Sequence, residues 1–223
     1  MYLHRPSRPR LSPTRTLLPG DIYCDRSPQC FGTVLGSCVS VCLWDSQLRF
    51  GGMNHFILPN RPAEGEASPR FGDVAIPQLV NAMVGLGSNI RHLRAKIFGG
   101  GYVLRAGDPA LSTGRRNVAV AVSELRRLRI PIVASRLSGT QGLVIRQCTD
   151  CGDVWVRPTG VIDRKLEPAT NVEDLSCFAE DVTIPMTADG EDSVPLAIHT
   201  RSPAGAARWC ETCTSSPLGW RRA

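Results

Sequence analysis

The chain has 223 residues, of which 42% are hydrophobic and 21% are charged, and its formal net charge is +6 at pH 7. This composition is that of an ordinary globular protein and excludes collagen-like, coiled-coil and wholly disordered chains. No apolar run approaches the ~18 residues that a membrane-spanning helix requires, so we expect a soluble protein without membrane insertion.

The basic and acidic side chains are distributed unevenly. Residues 1–162 carry the basic excess, whereas residues 163–200 carry an acidic excess. The Lys and Arg residues are scattered and are not interleaved with aromatic residues, so the pattern argues against nucleic-acid binding. A basic face that attracts an acidic protein partner fits better, although an ordinary solvated surface would give the same pattern.

Residues 1–16 are rich in Pro and Arg and lack hydrophobic periodicity, which predicts a disordered basic arm. They also lack the continuous apolar segment of a secretory signal. Nine cysteines, an odd number, are then more typical of cytosolic thiols than of a disulfide framework. We therefore expect a cytoplasmic protein.

The predicted fold begins near Leu17, and its first clear element is a β-hairpin. Residues 39–44 are apolar and β-rich, a polar turn follows, and a second strand extends from residue 48 to residue 58. Because side chains alternate along a strand, Met53, His55 and Ile57 are expected to share one face.

Two amphipathic helices and further strands follow. The first helix is expected to be capped by Asp73 and the second to present an apolar face that includes Val118 and Leu125. Strands are predicted at residues 94–98 and 130–137, and residues 143–145 are expected to pair with residues 154–156. The pattern predicts an α/β or α+β sandwich with mixed sheets over residues 17–162. Residues 163–223 are expected to form a C-terminal appendage that is partly disordered.

A candidate nucleophile lies between the Gly-Ser turn and the first strand of the hairpin. Glycines let the backbone turn tightly there, so that the Cys38 side chain and the neighbouring amides can face a pocket. The hairpin brings His55 beside Cys38, and an imidazole within hydrogen-bond reach can activate a thiol. The pair suits attack on an amide or ester carbonyl, but two buried core residues would look the same in sequence.

The segments GTVLGSCVSVCLWD (32–45) and GGMNHFILP (51–59) resemble those of the CheD family, the chemoreceptor glutamine deamidases of bacterial chemotaxis. Further segments match the family in the same order, and together they cover about residues 17–160. These segments are LLPGD (17–21), RFGDVAI (70–76), AKIFGGG (95–101), GRRNV (114–118), RIPIVAS (129–135) and VWVRP (154–158). The combined order makes the resemblance specific, because no single segment would suffice.

The resemblance implies hydrolysis of glutamine side-chain amides on methyl-accepting chemoreceptors to glutamate, through a Cys-His-Thr triad and a thioester. Cys38 then corresponds to the nucleophile and His55 to the base, with no cofactor and no metal at the catalytic site. Methyl-accepting chemoreceptors are the implied protein substrates, and a CheC-type phosphatase is an implied partner. The leading alternative is an adaptor that binds a chemoreceptor or CheC without turnover.

The third triad residue is less sharply defined by the sequence. The family threonine precedes the cysteine by six or five positions, which here are Gly32 and Thr33. We expect Thr33 to orient His55. If the family threonine corresponds to Gly32 instead, a backbone carbonyl near Gly32 would orient the ring.

The remaining cysteines allow further interpretations. Two C-x-x-C pairs, Cys148 with Cys151 and Cys210 with Cys213, have the form of zinc knuckles, although the 58 residues between them exceed the ~15–20 of a compact ribbon. A disulfide or reduced thiols are the alternatives, and a zinc or redox-switch protein is a third functional class. Cys24 and Cys30 are expected in a polar loop.

Overall fold

The computed structural model describes residues 15–103, 108, 111–160 and 221–222, and within these ranges it contains ten β-strands and two α-helices. The strands are β1 (Arg15–Thr16), β2 (Ile22–Asp25), β3 (Cys30–Leu35), β4 (Val39–Asp45), β5 (Phe50–Asn54), β6 (Leu93–Gly99), β7 (Ile132–Leu137), β8 (Leu143–Cys148), β9 (Val154–Pro158) and β10 (Arg221–Arg222). The helices are α1 (Gly72–Gly85) and α2 (Thr113–Arg127), and a short 3₁₀ helix spans Ile90–His92.

The strands form two five-stranded mixed sheets. The outer sheet has the order β1-β3-β8-β9-β10, and the central sheet has the order β2-β5-β4-β6-β7. Adjacent strands are antiparallel, except that β1 runs parallel to β3 and β6 runs parallel to β7. The architecture confirms the predicted α+β sandwich with mixed sheets and two helices.

The central sheet lies between the helices and the outer sheet. Val39, Val41 and Leu43 on β4 pack into one buried cluster with apolar residues of α1 and α2. Cys42 on the same strand packs instead with Met53 and with residues of the outer sheet. Both faces of β4 are therefore buried, which explains its almost uniformly apolar sequence.

Both predicted hairpins are confirmed. Strands β4 and β5 are antiparallel with Cys42 opposite Met53, and β8 and β9 are antiparallel with Ile145 opposite Val156. The two helices are confirmed as well, but the predicted cap of the first is wrong. Phe71 occupies the cap position without a side-chain hydrogen bond, and the Asp73 carboxylate in the first turn accepts hydrogen bonds from the Arg61 amide.

A few described residues outside the expected domain of residues 17–162 take part in the outer sheet. Arg15 and Thr16, which the sequence assigns to the arm, form strand β1 beside β3. At the other end, Arg221 and Arg222 of the expected appendage pair with β9. The remainder of the predicted arm, residues 1–14, and most of the predicted appendage lie outside the described residues. In the described part of the chain, neither helix combines the length and apolar character needed to cross a membrane.

Candidate active site

Thr33 and His55 meet between the two sheets. Thr33 lies on β3 of the outer sheet, His55 directly follows β5 of the central sheet, and both side chains are buried. The Thr33 Oγ1 and the His55 Nδ1 are 2.8 Å apart. The hydrogen bond joins the two sheets and fixes the orientation of the imidazole ring.

The partners of Thr33 determine which ring nitrogen of His55 carries the proton. The Thr33 hydroxyl donates to the Leu17 carbonyl oxygen at 2.8 Å. A hydroxyl has one hydrogen and a carbonyl only accepts, so Thr33 must accept its second hydrogen bond from Nδ1–H of His55. The Nε2 of neutral His55 therefore carries the lone pair. In the described part of the chain this Nε2 is buried without a hydrogen-bond partner, so it is available as a base.

The segment from Leu17 to Asp21 holds His55 through its backbone. The Gly20 amide donates to the His55 carbonyl at 2.7 Å, and the His55 amide donates to the Asp21 carbonyl at 3.0 Å. Gly20 has a φ of +96°, which glycine adopts readily. These contacts assign a role to the LLPGD segment that the sequence alone did not reveal.

The backbone carbonyl that contacts the Thr33 hydroxyl is that of Leu17. The Gly32 carbonyl accepts a hydrogen bond from the Leu17 amide at 2.8 Å. The Thr33 side chain occupies the position next to Nδ1 that was left open between Thr33 and a carbonyl near Gly32. No sequence pattern marks the Leu17 carbonyl, because every residue carries this group.

Cys38 lies at the turn that leads into β4, and its half-buried side chain packs against the cluster between the sheets. Val39 and Phe56 form a bridge in which each amide donates to the other carbonyl, at 3.1 and 3.0 Å. Cys38 and His55 precede these two residues, so they are diagonal neighbours across an antiparallel pair. The structure thus places Cys38, His55 and Thr33 in one region between the sheets.

Burial keeps both members of the candidate pair neutral at rest. It raises the pKa of the Cys38 thiol, although hydrogen bonds from the Cys38 and Gly36 backbones oppose this effect. Burial also lowers the pKa of His55, against the opposing effects of the Leu17 carbonyl and the Asp21 charge. The structure shows no hydrogen bond between the Cys38 sulfur and Nε2 of His55. A neutral thiol can still react when it transfers its proton to a neutral imidazole during attack.

A glycine turn supports the backbone of Cys38. The Gly100 amide donates to the Cys38 carbonyl at 2.9 Å, and the Gly101 amide donates to the Gly36 carbonyl at 2.8 Å. Gly99 and Gly100 both have positive φ, and a Cβ on Gly99 would overlap the Cys38 carbonyl oxygen. The close approach and the left-handed backbone explain the run of three glycines in this segment.

Four of the other described cysteines lie on strands, and Cys151 lies in the turn between β8 and β9. Cys24 and Cys30 were both expected in a polar loop, but Cys24 lies on β2 opposite Gly52, and Cys30 is buried on β3 opposite Cys148 of β8. Burial raises the pKa of Cys30 to about 11 and that of Cys42 to about 12. Such thiols are poorly reactive.

The two predicted zinc knuckles can be followed only in part. Cys148 and Cys151 flank the tip of the hairpin between β8 and β9, whereas Cys210 and Cys213 lie outside the described residues. Among the residues that the structure describes, no three His, Cys, Asp or Glu side chains are grouped so that they could hold a metal ion.

Comparisons with known proteins agree with the sequence resemblance. A family model described as CheD chemotactic sensory transduction matches residues 57–158, a segment that begins two residues after His55. A probable chemoreceptor glutamine deamidase CheD from Rhodospirillum rubrum is 48% identical over 145 residues, covering 65% of this chain and 82% of the relative. A protein of the same description from Trichlorobacter lovleyi is 41% identical over 138 residues, covering 62% of this chain and 86% of the relative. A third, from Anaeromyxobacter dehalogenans, is 45% identical over 138 residues, covering 62% of this chain and 80% of the relative.

Proposed function

The chain belongs to the CheD family, and from this membership we propose that it is a cysteine-dependent deamidase that hydrolyses glutamine side-chain amides on chemoreceptors to glutamate. The proposal rests on two consecutive hydrogen bonds, which connect the Leu17 carbonyl to Thr33 and Thr33 to His55. They leave an unprotonated Nε2 in the region where the Cys38 thiol lies.

In the first step the Cys38 sulfur attacks the carboxamide carbon of a glutamine, and the thiol proton passes to Nε2 of His55. The tetrahedral intermediate then breaks its C–N bond. His55 returns the proton to the departing nitrogen, so that ammonia leaves and a thioester remains.

In the second step water attacks the thioester carbon while Nε2 of His55 accepts one of its protons. The C–S bond breaks, the proton returns to the sulfur, and the products are a glutamate side chain and the original Cys38 thiol. Thr33 keeps the lone pair on Nε2 in both steps, because it holds the ring through Nδ1–H.

The backbone amides of Gly36 and Cys38 are the proposed stabilisers of the tetrahedral oxyanion. Burial raises the pKa of the Cys38 thiol, and hydrogen bonds from the Gly36 and Cys38 backbones oppose this rise, which indicates donors directed toward the reacting sulfur. Amides fixed beside a nucleophile stabilise the negative charge that develops on the substrate oxygen. Their fixed position is supported by the Gly100 and Gly101 hydrogen bonds to the same turn.

We further propose a cytoplasmic location and a CheC-type phosphatase as a binding partner. Both proposals come from the segments that match the CheD family in the same order. The basic excess of residues 1–162 is compatible with an acidic protein partner. The adaptor alternative is disfavoured, because a protein without turnover does not need a buried imidazole held with Nε2 unprotonated.

The proposal is tested by mass spectrometry of a glutamine-containing chemoreceptor fragment after incubation with the reduced parent protein or with Cys38→Ala. We expect site-specific conversion of Gln to Glu by the parent and none by the variant. Lack of conversion by the reduced parent on its cognate receptor would contradict the deamidase and favour the adaptor.

A further inference from the structure

Asn117 connects the two chain segments that carry the candidate pair. This residue lies on α2 and is completely buried. Its Nδ2 donates to the Ser37 carbonyl and to the Ile57 carbonyl, both at 3.0 Å. Ser37 immediately precedes Cys38, and Ile57 follows His55 by two residues, so one amide group spans both sides of the site.

The two acceptors lie where the β-ladder between these segments ends. Val39 opens strand β4 and pairs with Phe56, while the Ile57 amide donates to the Arg70 carbonyl and leaves the ladder. In a continuing ladder the Leu58 amide would donate to the Ser37 carbonyl, but it donates to the Arg70 carbonyl instead, and Asn117 supplies the donor to Ser37. A primary amide has two N–H donors and can serve both carbonyls at once.

Helix α2 places Asn117 through an unusually close backbone contact. A Cβ on Gly114 would lie 2.6 Å from the Gly100 carbonyl oxygen, so only glycine lets the first turn of α2 approach the glycine turn. The Gly100 amide in turn holds the Cys38 carbonyl. The helix, the glycine turn and the Cys38 backbone thus form one supported unit in which the Asn117 amide has a fixed position.

We propose that Asn117 is a positioning residue for the reaction, acting by holding Cys38 and His55 in register through the Ser37 and Ile57 carbonyls. The inference rests on the proposed roles of Cys38 and His55. The separation of the sulfur from Nε2 depends on how the two segments lie relative to each other. Displacement of reacting groups by about 1 Å can lower a rate by about 100-fold.

Gln147 provides a matched control. Its amide is also buried and donates to a backbone carbonyl, that of Leu43 at 2.8 Å, and its Oε1, like the Oδ1 of Asn117, lacks a partner among the described residues. Leu43 lies five residues from Cys38, which is about 16 Å along an extended strand. Gln147→Ala therefore removes a comparable buried amide at a distance from the site.

In a deamidation assay below the unfolding temperature of each variant, we expect Asn117→Ala to lower kcat about 10-fold to 100-fold with little change in KM. Gln147→Ala should change kcat less than about 3-fold, because its amide holds the Leu43 carbonyl and not the Ser37 or Ile57 carbonyl. Equal losses of kcat in the two variants at equal thermal stability would overturn the inference.

A second measurement separates positioning from a merely structural role. The rate of Cys38 alkylation by iodoacetamide is measured with and without His55→Ala, in the parent, Asn117→Ala and Gln147→Ala backgrounds. We expect His55→Ala to slow alkylation in the parent and in Gln147→Ala, and to have little effect in Asn117→Ala. An effect of the same size in all backgrounds, or none in the parent, would contradict the inference.

If Asn117→Ala fails to fold, Asn117→Ser replaces it, because serine keeps one hydrogen-bond donor. We then expect His55→Ala to slow Cys38 alkylation less in the Asn117→Ser background than in the parent. The alkylation measurement needs no receptor. Its outcome therefore distinguishes a failure of the Asn117 inference from a failure of the proposed activity on receptor glutamines.

Discussion

The Thr33 hydroxyl of the outer sheet and the imidazole of His55, which extends from the central sheet, are joined by a 2.8 Å hydrogen bond. Because the same hydroxyl donates to the Leu17 carbonyl, it accepts from Nδ1–H and leaves the lone pair on Nε2. The packing of the two sheets thus determines the tautomer of the candidate base.

Replacement of Thr33 tests this relationship. Thr33→Val removes the hydroxyl at nearly constant volume. We expect kcat/KM for glutamine conversion to fall about 10-fold to 100-fold, because a poorly oriented imidazole loses part of the rate gain of general acid–base catalysis. The loss should be incomplete because the Leu17 carbonyl remains near the ring. Thr33→Ser is the control that keeps the hydroxyl. Full activity in Thr33→Val, or a loss equal to that of Cys38→Ala, would contradict this role.

The pH dependence of kcat/KM follows from the directions of the two pKa shifts. Burial lowers the pKa of His55, so its ring stays neutral and able to accept a proton below the usual histidine value of about 6.5. Burial raises the pKa of Cys38, so the thiol keeps the proton needed for departing ammonia above the usual value of about 8.5. We expect a plateau that extends below about pH 6.5 and above about pH 8.5, with losses only beyond the lowered pKa of His55 and the raised pKa of Cys38. An acid limb centred above pH 7 would contradict a buried neutral base.

The glycine turn gives a prediction for stability. Gly99→Ala places a Cβ against the Cys38 carbonyl at a φ of +107°, and we expect a loss of about 2–4 kcal/mol in the free energy of unfolding. Gly160→Ala is the control, because its φ is +80° but nothing lies within 4 Å of an added Cβ. Backbone strain alone should cost that variant about 1–2 kcal/mol. Urea unfolding measures both, and equal losses would show that the contact with Cys38 is unimportant.

Thiol reactivity provides a further prediction. Burial raises the pKa of both thiols, but it raises that of the completely buried Cys42 to about 12, whereas backbone hydrogen bonds oppose the rise for the half-buried Cys38. In the native protein at pH 7.5, iodoacetamide is expected to label Cys38 at least about 10-fold faster than Cys42, because the thiolate is the nucleophile. Peptide mapping of labelled sites gives the ratio. Equal labelling of the two cysteines would contradict the described burial.

Local patterns predicted much of this structure. Alternation along residues 39–58 placed His55 and Met53 on one face, and helical spacing located α1 and α2, because buried faces impose these periods on the sequence. The expected proximity of Cys38 to His55 followed from the hairpin, since the two residues flank neighbouring ends of its paired strands β4 and β5.

The features that the sequence missed depend on contacts between distant segments. The Leu17 carbonyl is a backbone group without a residue signal, and its contact with Thr33 requires β1 to pair with β3. Cys30 was assigned to a loop because polar residues precede it, but its strand pairs with β8, more than 100 residues later in the chain. Asn117 had no visible role for the same reason, since both of its acceptors are more than 50 residues away.

Detection of a covalent intermediate on Cys38 would test this residue as the nucleophile. The reduced parent protein and a receptor fragment are mixed, quenched in acid within the first turnovers and digested for mass spectrometry. We predict a Cys38 peptide carrying a receptor peptide through a thioester, with a combined mass lower by one ammonia, and its absence in Cys38→Ala. Conversion of glutamine to glutamate that persists in Cys38→Ala would contradict the assignment of Cys38 as the nucleophile.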